Sequence, residues 1–295
     1  EEGAGEEAPP ELASDALEGF QSYRVRIQWE WAPEGGTPER IEVLQEETRE
    51  PLARRYVYSS DGEQALEVVQ IGNTTWMCSE GSCFQTEQSA EEATSAFGEG
   101  MLHEPAEFYT SATDRQLVGR ETVNGIATLH YMLTLPPGLA GIYTQGEMSE
   151  MRAEVWVADE PSLPAFVVRF QLHFQAAGDE PGQGSYLYEV YDINAPITIE
   201  PPEGASEFPE DIPPYPNSEG LTMSEGMIYF TTSDDPATVA EFYTTGLSEK
   251  GWTQDSEQAM ADMIVQMWSK EGRSLQLMIQ SGDGETAVSI LLGGP

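Results

Sequence analysis

The sequence predicts an α+β protein in which an antiparallel β-sheet is covered by helices and is followed by a smaller α+β unit. Three observations predict this fold class. Long segments alternate apolar and polar residues at a period of two, a stretch of helical periodicity interrupts them in mid-chain, and the alternation resumes after a proline-rich segment. At 295 residues with 39% apolar residues, the chain is long enough for two cored units.

The chain opens with an acidic leader at residues 1–11, EEGAGEEAPPE. Because this composition buries too little apolar surface to offset the entropy of ordering, we expect the leader to be disordered. Such stretches commonly tether an exported domain to its anchor. We therefore expect a signal or lipid-anchor segment to have been removed, which places the protein outside the cytoplasm, anchored in the cell envelope.

The clearest strand follows a short predicted helix and is the segment YRVRIQWEW. Aromatic and aliphatic residues from Tyr23 to Trp31 share one face, and charged or amide residues share the other. The pattern returns at residues 166–174, and further strands are predicted in RIEVLQEE, ARRYVYSS, QALEVVQIGNTTWMC, GRETVNGIATLHYMLTL and SYLYEVYDIN. Asn124-Gly125 is a strong hairpin signal.

The two cysteines, Cys78 and Cys83, flank the turn residues SEGS. Cross-strand cysteines beside a tight turn meet disulfide geometry, and closing so short a loop contributes about 2 kcal/mol. A metal site would need further ligands, and a redox pair is usually closer in sequence. We predict a structural disulfide, which indicates an oxidising compartment.

Between Ser89 and Thr113 the apolar residues change to helical spacing, with Phe97, Met101 and Phe108 among them. After the strands, residues 200–214 are rich in proline and acid and are predicted to be an extended linker. Residues 215–295 then form a small domain. Its helix is predicted in DDPATVAEFYTTGLSEKGW, capped by Asp235 and closed by Gly251.

Two segments carry a resemblance to a known family: ETVNGIATLHYML and AEVWVADEPSLPAFVVRFQL. Over residues 12–199 the chain resembles the outer-membrane lipoprotein carrier superfamily, which includes mycobacterial lipid-binding lipoproteins. The resemblance implies a strongly curved antiparallel sheet, a half-barrel, whose mouth is closed by helices over an acyl-chain cavity. The tail is similar to a small domain that recurs at the C-termini of bacterial exported lipoproteins.

Charge and motifs exclude several functions. With 52 acidic and 13 basic residues the net charge is −39, so neither nucleic acid nor an anionic membrane surface is an expected partner. HEPAE at His103 lacks the second histidine of a zinc helix, and His130 and His173 are expected at the surface. We therefore expect no enzyme activity, no cofactor and no metal.

The strand aromatics form the candidate site. We expect them to converge on one concave side under a helical lid, with the inward residues Trp29, Trp31, Trp76, Tyr131, Trp156 and Phe170 and the lid residues Phe97, Met101 and Phe108. Two interpretations stay open. The face binds a lipid or other apolar small molecule, or it is a filled core in a structural protein that acts through an envelope protein partner.

Overall fold

The computed structural model describes residues 9–13, 15–87, 105–136, 147–177, 181–205, 208–224, 226–282 and 284–294. The chain folds into two compact units. One is drawn from Glu1–Glu67 and Phe97–Ile199, and the other from Val68–Ala96 and Glu200–Pro295. Each consists mainly of antiparallel strands with little helix, which confirms the predicted α+β class.

The first unit begins with a 3₁₀ turn, Ala16–Gly19, and has one described α-helix, α1 (Ala106–Ser111). Its strands are β1 (Ser22–Pro33), β2 (Glu39–Arg49), β3 (Leu52–Ser60), β7 (Asp114–Val123), β8 (Ile126–Thr134), β9 (Glu147–Ala158), β10 (Val167–Ala177) and β11 (Gly182–Tyr191). They pair antiparallel in the order β7, β8, β9, β10, β11, β1, β2, β3. Strand β4 (Glu63–Ile71) follows β3 in sequence.

The hairpin predicted at Asn124-Gly125 is confirmed. Both residues have positive φ, 53° and 84°, and the flanking Val123 and Ile126 pair across β7 and β8. Positive φ at both central positions is the type I′ geometry, whose twist matches that of the two strands.

The second unit contains α2 (Pro236–Glu249) and the strands β5 (Thr74–Ser79), β6 (Ser82–Glu87), β12 (Glu219–Ser224), β13 (Met227–Thr232), β14 (Thr253–Ala259), β15 (Met263–Lys270), β16 (Arg273–Gly282) and β17 (Glu285–Gly293). The pairing order is β5, β6, β12, β13, β17, β16, β15, β14, all antiparallel. The β5–β6 hairpin, which precedes the predicted linker by more than a hundred residues, therefore belongs to the sheet of this C-terminal unit.

The core of the second unit lies between α2 and one face of this sheet. Tyr243 and Leu247 of the helix pack with Trp268, Leu277 and Ile290 of the strands. The predicted cap is confirmed, since the Asp235 carboxylate accepts hydrogen bonds from the backbone amides of the first turn.

The ends of the predicted linker and leader make specific contacts. Ile212 is 1% exposed and belongs to the second core, so the last part of the proline-rich segment packs against that unit. In the leader, the Pro10 carbonyl accepts a hydrogen bond from the Tyr109 hydroxyl at 2.8 Å. The single domain boundary at residues 200–214 stays a prediction.

Candidate ligand-binding face

One face of the first sheet carries an uninterrupted row of apolar side chains across seven strands. Cross-strand pairing aligns them in the order Tyr131, Val155, Phe170, Tyr188, Ile27, Val43 and Tyr58. A second row lies two residues further along each strand and contains Leu133, Ala153, Leu172, Tyr186, Trp29 and Ile41. We call these two rows the apolar ladder. Paired residues point to the same side of a sheet, so the ladder is one continuous surface.

A glycine shapes the edge of the ladder next to the second row. Gly184 pairs with both Phe174 and Trp31, and a Cβ at Gly184 would lie 2.1 Å from the Phe174 ring. The missing side chain lets Phe174 lie across the strand and stack on Trp31, with centroids 6.1 Å apart. A pocket of about 280 Å³ opens at this level of β9, β10 and β11, and its polar lining residues Arg152, His173, Gln175 and Gln183 point to the side of the sheet opposite the ladder.

Helix α1 covers part of the ladder. The Phe108 ring stacks on Phe170 with centroids 4.7 Å apart, and Tyr109 meets Tyr131 edge-on at 6.2 Å. Burial raises the pKa of Tyr109 to about 12, an effect that Tyr131 reinforces and Arg115 opposes. Phe108 therefore packs over the ladder, and its role in a lid stays a prediction. The other lid residues, Phe97 and Met101, fall outside the described residues.

Burial decreases along the ladder. Tyr131, Val155 and Phe170 are fully buried, whereas Trp29 and Tyr58 at the other end are half-buried. Trp31, next to Trp29 along β1, is also half-buried. The tryptophans therefore mark the more accessible end of an otherwise covered apolar face.

The prediction that Trp156 shares this face is wrong. Trp156 pairs with His130 and Arg169, whereas its neighbour Val155 pairs with Tyr131 and Phe170 on the ladder. Since successive residues of a strand point to opposite sides, Trp156 belongs to the reverse face. Both neighbours of Trp156 are valines, so apolar character alone could not select its side.

On the reverse face Trp156 is the centre of a polar cluster. His130 stacks on its ring at 4.2 Å, the Arg169 guanidinium lies 5.6 Å from the ring centroid, and the indole N–H donates to Glu121 at 3.0 Å. Hydrogen bonds from Trp156 and His130 hold the pKa of Glu121 below its usual value.

The expected surface position of His130 is also wrong. Its ring is buried, with Nδ1 2.9 Å from Glu121 and Nε2 3.2 Å from Glu154. The alternation correctly placed His130 off the ladder, but neighbouring side chains on the reverse face cover it. His173 is exposed, as expected.

Trp76 belongs to the other compact unit. It pairs with Gln85 in the β5–β6 hairpin and donates its indole N–H to the Gln85 side chain at 3.0 Å. The sequence carries no sign of this, because β6 pairs with β12, a partner more than 130 residues away. The predicted Cys78–Cys83 disulfide closes the same hairpin.

Sequence reasoning missed the tyrosines Tyr58, Tyr186 and Tyr188 as members of the ladder. The signal was present, since ARRYVYSS and SYLYEVY alternate as clearly as the tryptophan strand. Burial raises the pKa of Tyr186, which keeps its hydroxyl neutral.

Metal sites and membrane spans are the other features that bear on function. In the described part of the chain, no three His, Cys, Asp or Glu side chains are placed to hold a metal ion. Nor does any helix within the described ranges have the length and apolar content to cross a membrane.

Comparisons with known proteins give distant likenesses. Residues 215–286 match a family model described as START domain-like, and the match starts where the sequence predicts the small domain to begin. A search of curated proteins gave no match.

Among solved structures, the chain is similar to the lipoprotein LppX of Mycobacterium tuberculosis, at 20% identity and a TM-score of 0.36 over 63% of this chain and 93% of that one. LprF from Mycobacterium bovis is 16% identical, with a TM-score of 0.34, over 64% and 92%. The LolA superfamily protein NE2245 from Nitrosomonas europaea is 10% identical, with a TM-score of 0.25, over 64% and 96%.

Proposed function

We propose that the protein is an exported, non-catalytic lipoprotein that holds a lipid or other apolar ligand against the apolar ladder. The observation that carries this proposal is the uninterrupted apolar ladder, on whose side of the sheet the half-buried Trp29 and Trp31 lie toward the more accessible end. An apolar surface that stays partly open at one end suits a ligand that enters there and lies along the row.

The exposed end of the ladder supplies useful affinity. Covering about 100 Å² of apolar surface on Trp29 and Trp31 is worth roughly 2.5 kcal/mol before ordering costs. The rows themselves contain no charged side chain, which favours an acyl chain or similar apolar group.

Export and the lack of catalysis have their own support. The Cys78–Cys83 disulfide favours an oxidising compartment. The buried His130 lies between two carboxylates and stacks on Trp156. These contacts favour a structural role for His130 over a catalytic one.

A second candidate is an envelope interaction protein with a filled core and a protein partner. The complete burial of Phe170 under Phe108 favours it, because at that end of the ladder the interior is already packed.

Binding of an uncharged lipophilic naphthylamine dye tests the proposal. Trp29→Glu places a charge on the ladder, and Gln171→Glu places the same charge on the reverse face of the same sheet. We expect the dye to bind wild type and Gln171→Glu alike, and Trp29→Glu at least about tenfold more weakly, since a buried carboxylate must be desolvated. Equal binding to all three, or none to wild type, overturns the proposal and favours the filled-core alternative.

A further inference from the structure

The sheet of the second unit has a second apolar face, on the side away from α2. Of its residues, Met227 pairs with Leu291 and Thr222 pairs with Tyr229, while the alternate residues Ile228 and Ile290 enter the core. We call the following set the open face: Met77, Phe84, Met227, Tyr229, Met267, Met278 and Leu291.

The hairpin residues join this face by register. Thr86 of β6 pairs with Thr222, which in turn pairs with Tyr229. Phe84 lies two residues before Thr86 and therefore points to the same side of the sheet as Tyr229. Met77 pairs with Phe84 and joins this side. Five of the open-face residues are among the nine most exposed large apolar residues of the described chain. Their exposed fractions are 48% for Met77, 41% for Phe84, 38% for Leu291, 37% for Tyr229 and 36% for Met227. Such concentration on one surface is typical of an interaction site.

The charge around the open face selects its partner. Residues 200–295 contain 17 acidic and 3 basic residues. Two of the basic residues, Lys270 and Arg273, are bound to Asp211 at 3.0 and 2.9 Å, and the third, Lys250, caps α2 on the opposite side of the sheet. Within the described residues, the strands of the open face therefore present no positive charge on this side.

We propose that the open face docks a basic amphipathic helix of a protein partner. Two other occupants are disfavoured by charge, because a second copy carries the same net charge of −39 and an anionic lipid surface is repelled. Methionine-rich surfaces suit such helices, since the flexible thioethers adapt to the apolar side, and the net negative charge of residues 200–295 attracts the lysines and arginines.

The dimensions agree with this partner. From β5 to β15 the open face covers six inter-strand spacings, roughly 29 Å at ~4.8 Å each. A helix of about 18 residues has nearly the same length at ~1.5 Å per residue.

The test uses the full chain and a labelled 18-residue peptide of leucine and lysine with helical amphipathic spacing, titrated by fluorescence anisotropy in 0.15 M and 0.5 M salt. The control peptide has the same composition in an order without an apolar side. Leu291→Ser and Tyr229→Ser remove parts of the open face. Met132→Ser, at the same 38% exposure as Leu291 but on β8 of the first unit, is the matched control.

We expect the amphipathic peptide to bind wild type and Met132→Ser equally, and Leu291→Ser and Tyr229→Ser at least roughly tenfold more weakly. Circular dichroism melts show which variants are folded, and the test needs only one of the two open-face variants to be folded. The proposal is overturned if the scrambled peptide binds as tightly as the amphipathic one, or if both open-face variants bind the amphipathic peptide as tightly as wild type does. A Leu291-dependent dimer in sedimentation, or Leu291-dependent binding to vesicles of phosphatidylglycerol and phosphatidylcholine, also overturns it.

Discussion

At the scale of single residues, the reverse face of the first sheet shows how an acidic protein places its few cations. Arg169 donates to Glu189 at 2.7 Å, Arg55 to Glu67 at 2.7 Å and Arg24 to Glu46 at 2.6 Å. Each ion pair joins neighbouring strands, so the sparse arginines offset carboxylates that would otherwise repel one another across the sheet.

Glu121 gives a pH-dependent prediction. Its pKa is lower in the folded protein than in the unfolded chain, because Trp156 and His130 hydrogen-bond its charged form. Its contribution is therefore complete above the unfolded pKa and is lost as the pH falls through the folded pKa. We expect Glu121→Gln to lower the free energy of unfolding at pH 7, and the difference from wild type to shrink as the pH approaches 3.

Urea denaturation at a series of pH values measures this difference. Glu63→Gln, at an exposed position beside the β3–β4 turn, is the control and should follow wild type throughout. A Glu121→Gln deficit that stays constant from pH 7 to pH 3 would contradict the proposed role of its carboxylate.

At the scale of elements, alternation predicted the strands and the hairpin at Asn124-Gly125, and capping residues predicted α2. Face assignment failed where both sides of a strand are apolar. In AEVWVA, Trp156 has valine neighbours, and only its cross-strand partners His130 and Arg169 reveal its side. Trp76 was misplaced for a related reason, because a pairing with a strand near residue 222 leaves no local signal. Local periodicity predicts the individual strands and helices, whereas the register between strands distant in sequence determines which side chains lie on the same face.

The rung formed by Trp31, Gly184 and Phe174 gives an element-scale prediction. Gly184→Ala puts a methyl group into the space of the Phe174 ring, so we expect a loss of about 1–3 kcal/mol in the free energy of unfolding. Gly119→Ala in β7, where a Cβ meets nothing within 4 Å, should stay within ~0.5 kcal/mol of wild type. Equal stability of the two variants by chemical denaturation would show that the Trp31–Phe174 stack does not depend on this glycine.

At the scale of the whole molecule, the β5–β6 hairpin belongs to the sheet of the C-terminal unit, although it lies more than a hundred residues earlier in the sequence. A protease site inserted between Gly204 and Ala205 should be cut, because Gly204 is an exposed turn residue with φ of 83°. We expect the two fragments to co-elute in size-exclusion chromatography and to part only in denaturant, since β6 on one fragment pairs with β12 on the other.

Gln85→Pro is the control for this experiment, because proline removes a backbone donor from the strand that pairs with β12. After cutting, its fragments should separate more readily than those of the parent. Fragments of the parent protein that separate in native buffer would show that the β6–β12 pairing does not hold the chain together.

The central claim is that an apolar ligand lies on the ladder side of the first sheet. Quenching of tryptophan fluorescence by a brominated monoacylglycerol tests it most directly, because bromine quenches on contact and the headgroup is uncharged. Trp29 and Trp31 belong to the ladder side, and Trp156 belongs to the reverse face. We predict saturable quenching that is largely lost in Trp29→Phe/Trp31→Phe and retained in Trp156→Phe. Quenching that survives the double variant, or that disappears with Trp156, would contradict the account.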